Sequence, residues 1–574
     1  MSLTRMGDLI QSTPLISSLR ERYPDATLTL VVSSDFAEFA KRAEHIDEII
    51  VFNLRQFNQK GDKGELKSWV EVYQYVEGFL NELSFFNFDR VYNLSHSKLS
   101  ALMLHYLNIP EIIGFHCNRN GDRKTGHPWL QYFGIEPFNR LCNPFNLADI
   151  YLLSGDFEPG SAALSIIHDS EDDLAVEEFL GQIKIDGEEL VIGIQAGSSL
   201  EGRRWSVESF SALADLLCSK LNAKIVLLGV NSESETAGEI VQGMLHKDRI
   251  LDLTGKTNIS QLIGVLKGCD YLVTNDTGTM HIAAALNIPI VGLFFAHAHP
   301  QETGPFGKGH IVFQARIYCA PCSYGVSCND VVCVKKVLPQ DVFAYMEQHR
   351  RHGNWQLESD LVRSDEINVF ETGFDEDGLI AFKPLLKKTP TELEVYSRFY
   401  RRLWVDSLNK KTVKGESLKK LVISIRDDFE LEGLRATILR MGEGFNIFRE
   451  LRSIARSGIK VCESLDSSVT QNKVTSEKLK LFAESIEEID EKIDRYGMSH
   501  PHVKPIADIF DKRKENLDGD DVELLNKETK VCYQKLENEC RRMVEIMENV
   551  FKSFNISRED YTELSSNKVA VPAK

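Results

Sequence analysis

The chain has 574 residues, 43% of them apolar and 26% charged, which is ordinary globular composition with length for about three to five domains or lobes. A formal net charge of −18 and the absence of a basic run argue against wrapping nucleic acid by phosphate neutralisation, so no nucleic-acid partner is expected. No window of about 18 consecutive apolar residues reads as a membrane-spanning helix. The stretch Met1–Asp8 has no apolar signal core. A cytoplasmic protein is expected.

In chain order, short apolar runs first alternate with helix-length amphipathic segments. Leu28–Val32, Glu48–Phe52, Arg90–Leu94 and Glu111–Phe115 read as strands, and Thr13–Tyr23 reads as a helix. Between about 119 and 188 the pattern pauses in a Gly- and Pro-containing stretch with an acidic helix at Ser170–Leu180, which reads as a crossover between two lobes. The alternation then restarts. Strands are predicted at Leu190–Gln195, Lys224–Leu228, Ile250–Leu253, Tyr271–Thr274 and Ile290–Phe294, with helices at Ser206–Lys220, Ser232–Leu245, Ile259–Lys267 and Thr279–Ala285. Two βαβ series in tandem imply an α/β protein with two doubly wound sheets facing a cleft, binding ligand beyond the carboxyl ends of the strands.

After about 345 the character changes. Ile367 and Val369 alternate with polar residues, Asp375–Gly378 makes a turn, and Leu379–Phe382 returns, giving a hairpin. From Pro390 the pattern is helical. Leu393, Tyr396, Tyr400 and Leu403 form one stripe. Leu479, Phe482, Ile486, Ile489 and Ile493 form a second, and Cys532, Leu536, Cys540, Met543, Met547, Val550 and Phe554 a third. These are the apolar faces of a helical bundle; the same spacing suits a dimer seam, so a homo-oligomer formed through this region stays open. The expected divisions are 1–165 and 166–348 for the two Rossmann-like lobes, 349–390 for a hairpin or linker, and 391–574 for a helical accessory domain.

Four motifs carry chemistry. Gly7-Asp8, followed by Thr13-Pro14 and Leu19-Arg20, falls at a strand-to-helix turn. A carboxylate there can serve as a general base; capping of the helix by Asp8 is the competing reading, and spacing alone favours it. Gln195-Ala196-Gly197-Ser198-Ser199, then Arg203-Arg204-Trp205-Ser206, follows a strand and opens a helix. Backbone N–H groups, the helix dipole and guanidinium groups at such a place attract phosphate. Asn275-Asp276-Thr277-Gly278-Thr279-Met280-His281 repeats the arrangement one strand on. Two such termini in one lobe suit a diphosphate, as in a nucleotide sugar. Last, Cys319, Cys322, Cys328 and Cys333 lie within fifteen residues, while the other seven of the eleven cysteines are scattered. Four thiolates could close a structural zinc or iron site; free or disulfide-forming thiols are the alternative.

In this order the motifs resemble glycosyltransferase family 9, the ADP-heptose:lipopolysaccharide heptosyltransferases. The resemblance rests on the stretches RMGDLIQSTPLISSLRERYPDATLTLVV, QAGSSLEGRRWSVESFSALADLL, VLLGVNSESETA, LTGKTNISQLIGVLKGCDYLVTNDTGTMHIAAALNIPIVGLF and ETGPFG, and it covers residues 1 to about 345. It implies a GT-B architecture and inverting transfer from ADP-heptose with no metal or cofactor required for catalysis. The acceptor would be a cell-envelope glycolipid, the lipopolysaccharide core, at the inner membrane face, which makes peripheral association there plausible. By position, Asp8 matches the family's base, and Ser198 and Ser199 its donor-phosphate hydroxyls. Arg203 stands where many members have lysine to stabilise the leaving diphosphate. Glu233 resembles the acidic residue at the adenosine ribose, and Asp276, Thr277, Gly278 and His281 match the D-T-G-x-x-H donor motif. The cysteine cluster resembles a C-x2-C segment of some members.

Three departures stand out. Only Met1–Met6 precede the Gly-Asp turn, so either the first strand is short or the true start of the chain lies further upstream. Phe295–His299 replaces a G-P-T-D-like loop, with His297 and His299 read as loop-lining. The region from about 350 is absent from simple members. Two other readings remain at this level: transfer of heptose onto a protein, as related autotransporter heptosyltransferases do with a cysteine-bound metal, and a non-catalytic GT-B scaffold whose helical tail binds a partner. Acceptor choice is expected to reside in the loops around Ser95–Lys98 and Gly114–Lys124.

Overall fold

A computed structural model describes residues 1–3, 5–54, 69–135, 139–160, 162–175, 178–179, 181, 189–198, 200–324, 326, 328, 330–357, 365–409, 415–471 and 475–561. The strands are β1 Thr29–Ser33, β2 Glu48–Phe52, β3 Arg90–Asn93, β4 Glu111–Cys117, β5 Arg123–Thr125, β6 Leu190–Gln195, β7 Ala223–Leu228, β8 Ile250–Asp252, β9 Tyr271–Asn275, β10 Ile290–Phe294, β11 Ile311–Ala315, β12 Ile367–Phe374 and β13 Ile380–Pro384. The chain forms two compact units, one of Met1–Glu111 with Phe145–Leu386 and the other of Ile112–Pro144 with Lys387–Lys574.

The first unit is α/β. Its main sheet has eight strands in the order β13-β12-β11-β10-β9-β6-β7-β8. From β11 to β8 neighbours are parallel, and β12 and β13 join antiparallel. Both faces are buried, as a parallel sheet between helices requires. Ile192, Ile194, Ile225 and Leu227 enter one core cluster, and Val191, Val226 and Leu228 the other. The strand order reverses between β6 and β9, because the chain leaves β6 outward to β7 and β8 and later returns to build β9, β10 and β11 on the other side.

Nearer the N-terminus β1 and β2 pair in parallel. Met1–Leu3 runs beside them as a minimal strand. Ser2 bridges Val32 in parallel, Leu94 N donates to Met1 O at 3.1 Å and Leu3 N donates to Ser95 Oγ at 2.8 Å. A one-residue bridge thus stands where the short first strand was expected, and the helix Met6–Gln11 starts three residues after Leu3.

The unit boundaries differ from those expected from composition. Residues 112–144 belong with the helical segments and are not part of a simple crossover. The reason is the apolar helix Pro128–Ile135, whose Trp129, Leu130, Tyr132 and Ile135 are buried. Trp129 Nε1 donates to Asn409 Oδ1 at 2.7 Å, and the Tyr132 ring lies 5.9 Å from that of Trp404. Lys124 Nζ donates to the carbonyls of Glu515 and Leu517, both at 2.8 Å. The expected linker at 349–390 likewise contributes β12 and β13, which cover the edge of β11 and leave it no unpaired ladder. Gly378 sits at φ +79° in the hairpin turn, where a side chain would be strained. β11 was not anticipated, although Gly307 and Gly309 mark a turn just before its apolar run.

The second unit is helical. Glu392–Leu408, Gly444–Thr470, Ser476–Ser499, Lys504–Glu515 and Val522–Ser553 are its main helices. Tyr396, Tyr400 and Leu403 are buried, as are Cys532, Leu536, Cys540, Met543, Met547 and Val550. Of the Ser476–Ser499 stripe only Ile493 is fully buried. Arg513 donates to both Glu539 oxygens at 2.9 and 2.6 Å inside the bundle. Removing one member of such a pair strands the other charge in the core. Glu539→Ala is therefore expected to destabilise the helical unit by about 3–5 kcal/mol, read as a fall in the urea midpoint, whereas replacing both partners by apolar residues costs far less.

Candidate active site

Three loops leave the carboxyl ends of β6, β7 and β9 around the point where strand order reverses, the place where open α/β sheets bind ligands. Each is set by a polar residue at or beyond a strand end. Asn275, the last residue of β9, is fully buried. Its Nδ2 donates to Ala196 O at 2.7 Å and Gly197 O at 3.3 Å, and its Oδ1 accepts from Trp205 N at 3.2 Å. Gln195 ends β6. Its Nε2 donates to Glu233 Oε2 at 3.0 Å, and its Oε1 accepts from the Thr279 hydroxyl at 3.4 Å. Glu233 Oε2 also accepts from Val230 N at 3.0 Å. A Cβ at Gly197 would overlap the Glu233 carboxylate, so the glycine permits the two loops to touch.

Arg203 lies in a short 3-10 turn after the β6 loop and is 7% exposed. Its Nη1 donates to Asp276 Oδ2 at 3.2 Å, and its Nε has no hydrogen-bond partner. Burial raises the Asp276 carboxyl above the usual range, and Arg203 together with the Thr303 hydroxyl and Arg5 works against that rise. Arg204 donates to Ser198 O from Nε at 3.0 Å and Nη2 at 2.8 Å, holding the loop. Ser198 is buried and its Oγ has no partner. Ser199 lies outside the described residues. Thr277 precedes the helix Gly278–Ala285, and its hydroxyl is 3.2 Å from that of Thr274.

His281, in the first turn of that helix, is 3% exposed. Burial lowers its pKa to about 4, so the ring is neutral at neutral pH. The helix Met6–Gln11 packs against it. A Cβ on Gly7 would lie 3.0 Å from His281 Cδ2, and one on Gly278 would overlap the Met6 side chain. Asp8 occupies the first turn of the Met6–Gln11 helix, half-buried, between residues that touch the Asp276–His281 motif. It lies inside the helix; Arg5 takes the N-cap position and makes no side-chain capping bond.

The structure thus groups Ser198, Arg203, Glu233, Asp276, Thr277, Gly278 and His281 around one strand-order reversal and brings the Gly7-Asp8 turn to them. It leaves Ser198 Oγ, Arg203 Nε and His281 Nδ1 as buried polar atoms without protein partners. Gln195 and Asn275 were named within the motifs without a role of their own, Arg204 was read as a phosphate-attracting cation and instead bonds Ser198 O, and Gln11 was not anticipated. The signal for the first two was available in a polar residue ending an otherwise apolar buried strand. Gln11 is four residues after Gly7, on the same helix face.

Of the four clustered cysteines, Cys319 and Cys328 are exposed, Cys322 is half-buried and Cys333 is buried. Among the described residues no three His, Cys, Asp or Glu side chains are grouped to hold a metal ion. Cys328 Sγ donates to Asp330 O at 3.2 Å. Cys333 Sγ accepts from Ala296 N at 3.4 Å, and Cys322 N donates to Ala296 O at 2.9 Å, so this segment clasps the loop after β10. His299 in that loop accepts from Gln301 N at 3.2 Å and caps a helical turn, and His297 lies edge-on to Tyr324.

Residues 79–331 match the family model described as Glycosyltransferase family 9 (heptosyltransferase). Lipooligosaccharide heptosyltransferase 2 of Haemophilus influenzae is 32% identical over 133 residues, 23% of this chain and 38% of that protein. Lipopolysaccharide heptosyltransferase 2 of Salmonella typhimurium is 24% identical over 318 residues, 52% of this chain and 82% of that protein. Among solved structures, E. coli ADP-heptose LPS heptosyltransferase II superposes with a TM-score of 0.46 at 20% identity, over 60% of this chain and 96% of that one. Among the described residues no helix is long and apolar enough to cross a membrane.

Because His281 is neutral in the folded protein with a pKa of about 4 and titrates near 6.5 when unfolded, the unfolded chain binds more protons between those values. Its contribution to stability is full above about pH 6.5 and is lost as pH falls toward about 4. His281→Gln is expected to flatten the fall of urea-derived stability over that window by about one proton's slope. Over residues 79–331 this chain is thus similar to glycosyltransferase family 9.

Proposed function

We propose that the protein is an inverting glycosyltransferase of GT-B type that moves heptose from ADP-heptose to a cell-envelope glycolipid, the lipopolysaccharide core, without a catalytic metal. The single observation that carries the site is the convergence of Ser198 Oγ, Arg203 and the Asp276–His281 helix terminus at the reversal of strand order, with buried donor atoms left unpartnered. A hydrogen-bond donor buried without a partner costs about 1–3 kcal/mol, which an incoming phosphate oxygen recovers. The names of the family relatives support heptose as the sugar and a lipopolysaccharide or lipooligosaccharide as the acceptor.

In this reading the diphosphate of ADP is met by the Ser198 hydroxyl, by Arg203 and by the N–H groups at Gly278 and Thr279 at the helix N-terminus. Arg203 is already shared with Asp276, so an arriving diphosphate competes with that carboxylate for the guanidinium. Glu233, held by Gln195 and Val230 N, faces the ribose hydroxyls as an acceptor. Asp8 takes the proton of the acceptor hydroxyl, and the oxygen attacks the anomeric carbon from the face opposite the diphosphate. Inversion follows, and the negative charge that develops on ADP is received by donors already in place. The acceptor sits at the inner membrane face.

Calorimetric titration with ADP, with UDP as control, tests the donor site: selective ADP binding that is lost in Asp276→Ala is the expected result, and binding of neither nucleotide would overturn the assignment. For the chemistry, Asp8→Ala is expected to lower turnover by about 10²–10⁴-fold while leaving the ADP Kd nearly unchanged. Equal turnover in the variant removes Asp8 as the base.

A further inference from the structure

Gln11 has no part in the motifs, yet it is 1% exposed and faces the site. Its Nε2 lies 3.4 Å from Gly7 O and 3.5 Å from His281 Nε2. Its own Oε1 and His281 Nδ1 have no hydrogen-bond partner. The orientation of this carboxamide follows from its neighbours. Gly7 O is a carbonyl and only accepts, so the NH2 group must face it. The reversed carboxamide would set two acceptor oxygens against each other with no proton between them. With one N–H on Gly7 O, the second is directed at His281 Nε2. A ring nitrogen that accepts carries no proton, and in a neutral imidazole the proton then resides on the other nitrogen.

We propose that Gln11 is a positioning residue that fixes His281 as the Nδ1–H tautomer and so presents a buried N–H donor to an oxygen of the bound ligand anion. The ligand half of this statement rests on the nucleotide-sugar reading above; the tautomer half rests on the contacts alone. The low pKa of His281 keeps the ring neutral, so the donor is a single N–H of defined direction and not an imidazolium. Gly7 allows the contact, because any Cβ there would press on His281 Cδ2 at 3.0 Å and push the helix away. Asp8 precedes Gln11 by three residues on the same short helix, so the helix that offers the proposed base is tied to the donor histidine by this amide.

The test is two-bond nitrogen–proton correlation spectroscopy at neutral pH on the whole protein with isotope-labelled histidine, the His281 signal being assigned by its loss in His281→Gln. The expected wild-type pattern is Nδ1–H. In Gln11→Met, which keeps the side-chain length but has no N–H donor, the His281 signal is expected to shift to the Nε2–H form or a mixture, with the other histidine signals unmoved. Gln11→Leu serves the same purpose should the methionine variant fold poorly. ADP affinity by calorimetry is expected to fall about 5–10-fold in either variant, the size of one lost hydrogen bond. A wild-type Nε2–H pattern overturns the proposal, as does an Nδ1–H pattern that persists in both variants. The tautomer measurement needs no ligand, so failure of wild-type protein to bind ADP counts against the nucleotide-sugar reading alone.

Discussion

The carboxamide of Asn275 is the interaction on which the site depends. It stands at the end of β9, beside the end of β6, where the sheet changes direction. Through two donated bonds and one accepted bond it fixes Ala196, Gly197 and Trp205, and hence the whole path of the loop between them. That path decides where Arg203 and Ser198 lie. A buried amide costs free energy unless every bond is made, and here the bonds made are those that shape the loop.

The polar atoms around this point fall into two groups. Asn275, Gln195, Arg204 and Glu233 bond to protein and form the scaffold. Ser198 Oγ, Arg203 Nε and His281 Nδ1 are equally buried and bond to nothing in the protein. In the reading proposed above, the first group positions the loops and the second meets the ligand.

Three parts of the chain are integrated with their surroundings to different degrees. The hairpin of β12 and β13 completes the main sheet at its otherwise open edge. The cysteine segment clasps Ala296 by a backbone bond and a thiol, so its place in the fold is to hold the loop after β10. The helical unit draws in residues 112–144 from the middle of the chain, with Trp129, Lys124 and Asn516 as the fastenings. A stretch rich in glycine and proline between two βαβ series looked like a connector; its buried tryptophan and tyrosine need a core, and the helical unit supplies one.

The strands of the main sheet were legible because a strand buried on both faces is a continuous apolar run, and β6, β10 and the helix Ile259–Lys267 fell where periodicity placed them. The motifs at the strand ends were legible because glycine, hydroxyl and charged residues interrupt those runs at one end only. What local pattern could not decide was pairing at a distance. Strand order, and therefore the reversal beside β6, arises from which apolar faces meet after collapse. The partnership of residues 112–144 with a segment more than two hundred residues away has the same origin. So does the contact of Gln11 with His281, which joins two helices 270 positions apart. Sequence alone marked out the candidate site residues, since that depends on residue type and local spacing. Tertiary structure decided which of them have protein partners and which do not, since that depends on neighbours only the folded chain provides.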